Sequence, residues 1–204
     1  MEILYSDEHI AVCIKPVGLD SEHQMPQELV KQLGGEFYPI HRLDQNVGGV
    51  MVFARMKQAA AHLSRAVQDG TMVKEYVAQV HGTPEQSGMW EDLLFKDSRK
   101  NKVFVVKKQR AGVKKAKLSY ERWVAGEESV VLVRLFTGRS HQIRVQFSSR
   151  GFPLVGDHKY GSRSKLTEPR LFCARITFPY EGTTRVFSAL PQWAEVYKTE
   201  DWDR

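Results

Sequence analysis

The 204 residues are 42% hydrophobic and 26% charged, an ordinary globular composition, long enough to bury a core, that excludes a disordered chain. A formal net charge of +6 favours acidic partners, nucleic acid among them. Two distant cysteines, Cys13 and Cys173, give no disulfide framework. No apolar run reaches the length of a membrane span, and the first residues lack the form of a signal peptide, so a cytoplasmic protein is expected.

In chain order, residues 10–14 form a short apolar run that predicts a buried strand, ended by a turn at 15–18. Residues 26–33 predict a helix, with Pro26 near its start and Gly34 past its end. A second apolar strand is expected at 49–54 and a helix at 58–69, stopped by Gly70. Residues 72–80 are rich in β-branched side chains and predict a strand, and 82–88 predict a surface loop. Strands at 102–106 and 118–124 flank a basic connection containing Gly112, which suggests one long hairpin. A strand at 130–136 leads into a helix at 140–149, where Ser140 can cap and Ile143 and Phe147 share a face. Strands at 171–178 and 184–189 are joined by a turn at 179–182. The sum is a single domain of class α+β over residues 1–204, a monomer by expectation.

The positive charge is not spread evenly. Residues 96–117 hold ten lysines or arginines against one acid, Asp97, while the rest of the chain has 20 basic and 23 acidic residues. A basic hairpin-like segment of this kind can track phosphates, with Lys107, Lys108, Lys114 and Lys115 as candidate contacts, or can be a solvated surface. Metal-site spacings, dinucleotide and P-loop glycine patterns, and a Gly-x-Ser-x-Gly elbow do not occur, so no metal and no cofactor is expected.

Two polar clusters remain. His41, Arg42, Leu43, Asp44, Gln45 and Asn46 precede the strand at 49–54, and Thr137 to Arg144, with Arg139 and His141 between them, lead from a strand into a helix. An arginine close to a core face wants a carboxylate, and Asp44 is a reasonable partner for Arg144. A guanidinium would hold that carboxylate ionised and oriented, ready to act as nucleophile or base. The same residues also fit a structural Asp–Arg pair or a turn cap, and local features leave both readings open.

His41-Arg42-Leu43-Asp44 followed by Gly48-Gly49-Val50-Met51-Val52-Phe53-Ala54-Arg55 resembles the signature loop and strand of the RluA-type pseudouridine synthases. Three further stretches are similar in the family's order: Ile14-Lys15-Pro16-Val17-Gly18-Leu19, then Lys74-Glu75-Tyr76-Val77-Ala78-Gln79-Val80-His81-Gly82, then Leu135 to Val145 with Gly151 to Asp157 and Tyr160-Gly161. The resemblance implies a bent, mainly antiparallel mixed sheet with flanking helices and a central catalytic cleft. It implies Asp44 as the catalytic carboxylate, Tyr76 as the tyrosine that packs on the target base, Arg144 as the arginine paired with Asp44, and Arg42 as a cation that can enter the space left by an extruded nucleotide. His41, Arg139 and His141 join Arg42 as candidate substrate contacts. The implied reaction converts uridine in structured ribosomal or transfer RNA to pseudouridine, without cofactor.

Two departures stand out. Val47-Gly48-Gly49 occupies the place of a Thr-Ser-Gly segment found in many relatives, so two hydroxyls are lost and flexibility is expected. The chain also begins almost at the first motif, so no accessory N-terminal RNA-binding domain is expected. Two rival functions are a non-catalytic RNA-binding or RNA-folding protein that keeps the cleft, and a carboxylate-dependent nucleoside or glycoside hydrolase.

Overall fold

The computed structural model describes residues 1–197. In chain order the elements are β1 (Ile3–Ser6), β2 (Ile10–Lys15), α1 (Gln24–Leu33), β3 (Tyr38–Pro39), β4 (Gly48–Ala54), α2 (Lys57–Gln68), β5 (Val73–His81), β6 (Ser87–Asp97), β7 (Lys102–Val106), β8 (Val113–Val124), β9 (Glu128–Leu135), α3 (Gln142–Ser148), β10 (Leu171–Tyr180) and β11 (Thr183–Ser188). The strands pair mostly antiparallel, with β4 and β10 parallel, and the class is α+β as expected. The described chain divides into two compact units, residues 1–75 with 172–197, and residues 76–171.

In the first unit the strand order is β1-β2-β4-β10, with β3 beside β4 and β11 beside β10. Every residue of β4 is buried, as an apolar strand with neighbours on both edges and cover on both faces must be. Helix α1 buries Met25 and Leu29, one turn apart, and α2 buries Ala59, Leu63 and Ala66 along one stripe. Gly34 closes α1 with a positive φ of 65° and donates its N–H to Val30 O (2.9 Å). The β10–β11 hairpin turns through Glu181 and Gly182, both at positive φ, the geometry that two-residue hairpins favour. Cys13 and Cys173 are buried and form no disulfide, and burial pushes the Cys13 thiol up to about 12.

The flexibility expected of Gly48 and Gly49 is not what these residues supply. Both are buried in β4, in register with Phe172 and Cys173 of β10. Gly49 has a φ of 136°, and a Cβ there would sit 2.4 Å from Cys173 N and 2.5 Å from Cys173 O. Glycine is thus required for close backbone approach. Gly49→Ala combines left-handed strain, about 1–2 kcal/mol, with overpacking, about 1–3 kcal/mol. A loss of about 3 kcal/mol in urea denaturation is the expected result; a variant with the parent's midpoint would contradict the close approach.

In the second unit the strand order is β5-β9-β8-β6-β7. The segment 96–117 is therefore not one long hairpin. β6 lies between β7 and β8, pairing with β7 through the turn after Asp97 and with β8 from Ser87 to Phe95. Asp97 Oδ1 accepts the N–H groups of Arg99 and Lys100 and so shapes that turn. Residues 87 and 88, expected in a loop, begin β6. Trp90, Asp92, Leu94 and Lys96 alternate onto one face of β6, and α3 covers the first three. Phe147 packs edge-on against Trp90 (4.7 Å) and Tyr120 (5.4 Å), Gln146 Nε2 donates to Asp92 (2.7 Å), and Val145 joins Leu94, Val103, Ala116 and Tyr160 in a buried cluster.

The start of α3 also differs from expectation. Ser140 does not cap it; His141 precedes the helix in the left-handed conformation, φ 51°, and makes no side-chain cap bond. Gln142 fixes the entry instead. Its Oε1 accepts from Thr137 Oγ1 (2.8 Å) and Arg139 N (3.1 Å), and its Nε2 donates to Lys117 O (3.1 Å).

Candidate active-site loop and basic strands

In the first unit Asp44 sits half-buried on the loop that enters β4. Three ties fix this loop. Ser21, itself buried, grips Leu43 twice: its Oγ donates to Leu43 O (2.8 Å) and accepts the Leu43 N–H (3.0 Å). Gln45 and Gly18 bond reciprocally, Gly18 N to Gln45 O (2.8 Å) and Gln45 Nε2 to Gly18 O (2.9 Å). Val47 N closes a turn onto Asp44 O (2.9 Å). The apolar Leu43 side chain anchors the turn in the core, so Asp44 is held by rigid neighbours on both sides.

Lys15 lies beneath this loop and is fully buried. Its ammonium donates to Pro16 O (2.9 Å) and Gln45 O (3.2 Å). Burial pushes its pKa down to about 8, opposed by the carboxylates of Asp20 and Asp44. At neutral pH it is therefore mostly a cation. Lys15 belongs to the first stretch that resembles the family, and nothing in a strand-end lysine announces its burial.

Arg42 is exposed and pairs with Glu22 (2.6 Å), a surface contact that a stronger anion can replace. His41 accepts the Val52 N–H on Nε2 (3.3 Å), while its Nδ1 is buried without a hydrogen-bond partner. Burial, with the Lys74 cation adding to it, pushes the imidazole down to about 3. The ring is neutral at physiological pH and braces the loop against β4.

In the second unit Arg144 projects from α3 into a buried bidentate pair with Asp157, Nε to Oδ2 at 2.6 Å and Nη2 to Oδ1 at 2.9 Å. The two side chains are 3% and 1% exposed. The guanidinium also lies over the Tyr160 ring, 5.1 Å from its centroid. The Tyr160 hydroxyl accepts the Val103 N–H (2.8 Å) and is bonded to His141 Nδ1 (2.8 Å). Asp157 and Tyr160 stand in the stretch that resembles the family's third motif, and residue type alone does not reveal their service to Arg144 and His141. Tyr76, 6% exposed, stands on β5.

The basic candidates sort by position. Lys107 and Lys108 are exposed in the connection after β7, and Lys114 and Lys115 are exposed on opposite faces of β8. Arg139 is exposed on the loop before α3, its Nε donating to Lys115 O (3.0 Å). Among the described residues, no group of three or more His, Cys, Asp or Glu is placed to hold a metal ion, and no helix is long and apolar enough to cross a membrane.

The fold is shared with solved structures. The human RNA pseudouridylate synthase domain containing 1 protein superposes with a TM-score of 0.83 over 97% of this chain and 86% of its own, at 21% identity. The human domain containing 4 protein gives 0.79 over 96% and 90%, at 23% identity. Both define the pseudouridine synthase fold. At the level of sequence, the RNA pseudouridylate synthase family matches residues 9–149. The dual-specificity RNA pseudouridine synthase RluA of Escherichia coli (strain K12) is 33% identical over 204 residues, covering 92% of this chain and 91% of its own. The chain belongs to the RNA pseudouridylate synthase family.

Proposed function

We propose that this protein isomerises specific uridines of structured ribosomal or transfer RNA to pseudouridine, with Asp44 as the catalytic carboxylate. The observation that carries the assignment is the held loop: half-buried Asp44 stands on a backbone fixed by Ser21, Gly18 and Val47, above the buried Lys15 cation. In stacked RNA the reacting atoms are inaccessible, so the nucleotide is extruded before reaction. The N1–C1′ bond breaks, the uracil turns, and a C5–C1′ bond forms; N1 gains a proton and C5 loses one. Atoms and electrons balance within the substrate, so neither a redox partner nor a metal is needed for the stoichiometry. Attack by the carboxylate on C1′ and removal of a sugar proton both require an ionised, oriented Asp44. The motif positions give Tyr76 the role of an aromatic surface for the detached base and Arg144 that of the cation serving the carboxylate. Arg42, once released from Glu22, is suited to the space left by the extruded nucleotide. The enzyme acts in the cytoplasm as a monomer on this reading.

Mapping pseudouridine in total RNA from cells with and without the protein tests the assignment. One or a few sites are expected to disappear without it and to return with the parent protein. Identical maps would overturn the reading, and release of free uracil from RNA would make the protein a hydrolase instead.

A further inference from the structure

The second unit contains a cavity of about 150 Å³ at the uncovered end of the β6–β8 face, just past α3. We propose that it binds one backbone phosphate of the RNA strand, a site additional to the Asp44 loop that rests on the reading of RNA as substrate. The strand register builds it. Leu94 lies opposite Lys114 of β8, and Lys96 lies opposite Val103 of β7. Alternation carries Leu94, Lys96, Val103 and Lys114 onto one face. The loop before α3 adds Arg139 and Ser140 as the facing wall.

The lining chemistry selects the ligand. Leu94 and Val103 make an apolar floor, and the charged side chains around it are all cations: Lys96, Lys114 and Arg139. No carboxylate lines the cavity, whereas Lys117, on the opposite face of β8, is already paired with Glu91 (2.7 Å). Asp97, the acid nearest in sequence, spends its Oδ1 on the Arg99 and Lys100 N–H groups. Unneutralised cations around a concavity with low-dielectric walls focus positive potential on one spot. The wall is also fixed before any ligand arrives: Arg139 is held through its Nε to Lys115 O and through its own N–H to Gln142 Oε1. The outer edge of its guanidinium is left to bind a phosphate oxygen. A nucleobase would call for an aromatic surface or an acceptor to read its edges, and the lining supplies neither carboxylate nor aromatic ring. The contact is therefore one of backbone positioning, independent of base identity.

The test is the salt dependence of binding to bulk transfer RNA. Each neutralised phosphate contributes about −0.9 to the slope of log K against log salt, so three cations on one phosphate differ from three cations on three. For Lys96→Gln/Lys114→Gln/Arg139→Gln the expected result is at least a tenfold loss of affinity at low salt and a slope less negative by about 1. No change in slope, or a change of 2 or more, overturns the single-phosphate site. The charge-matched Lys107→Gln/Lys108→Gln/Lys115→Gln variant should lose at least fivefold less affinity; an equal loss also overturns it. Lys96→Gln/Lys114→Gln, at two exposed positions, carries the same contrast should the triple variant fold poorly, and Arg139→Lys should retain the parent slope. Binding is read without turnover. A parent that shows the slope contrast but forms no pseudouridine on its mapped RNA would sink the proposed activity and leave the phosphate site, while activity with an unchanged slope would sink the site alone.

Discussion

Asp44→Asn is expected to lower pseudouridine formation by about 10²–10⁴-fold, the range lost with a positioned acid, base or nucleophile, while RNA affinity stays within about threefold of the parent. The substitution conserves shape and replaces one oxygen with an amide nitrogen, so the loop should survive it. The main-chain bond from Val47 N to Asp44 O (2.9 Å), the double grip of Ser21 on Leu43 and the Gly18–Gln45 exchange do not involve the Asp44 carboxylate. What changes is charge: the amide can neither attack a ribose carbon nor take a proton, and Lys15 loses one of the two carboxylates that favour its ammonium. Single-turnover assays on the mapped RNA, with thermal denaturation as a control for folding, separate chemistry from structure. Activity within tenfold of the parent would remove Asp44 from the reaction.

Much of the fold was legible because apolar runs are strong signals. The buried strands β2, β4 and β10 and the stripes of α1 and α2 follow from burial on one or both faces. β6 was not legible. Its exposed positions carry Met89, Glu91 and Lys96, and the alternation is broken by the half-exposed Leu93 beside buried Leu94, so that neither period dominates. Without the intervening β6, the strands on either side of the basic connection at 107–112 read as neighbours in one hairpin. At the candidate site, Asp44 and its loop could be located from the motif, but not the features that hold them. The burial of Lys15 and the grip of Ser21 depend on a chain returning from about 20–30 residues away, which composition cannot show. The left-handed His141 likewise displaced a plausible serine cap because Gln142 satisfied the loop first.

Arg144→Ala is expected to destabilise the protein by about 3–5 kcal/mol, the usual cost of leaving one member of a buried ion pair alone. The reason is the geometry of its partner: Asp157 is 1% exposed and receives two guanidinium bonds, at 2.6 and 2.9 Å. Without Arg144 the carboxylate must remain charged with little water or take up a proton, and either outcome costs stability at neutral pH. The Tyr160 ring also loses the cation over its face. For a chain of this size the loss corresponds to a fall in melting temperature of roughly 6–20 °C. Arg144→Lys keeps the charge but not the fork, so it should recover only part of the loss. The decisive comparison is Arg144→Met/Asp157→Leu, which removes both charges. If the cost comes from an isolated buried charge, the double variant will be more stable than Arg144→Ala. It will nevertheless be impaired in pseudouridine formation if Arg144 serves the reaction as well as the fold. Arg144→Ala as stable as the parent would contradict a load carried by this pair. A double variant that regains stability and full turnover would confine Arg144 to a structural role.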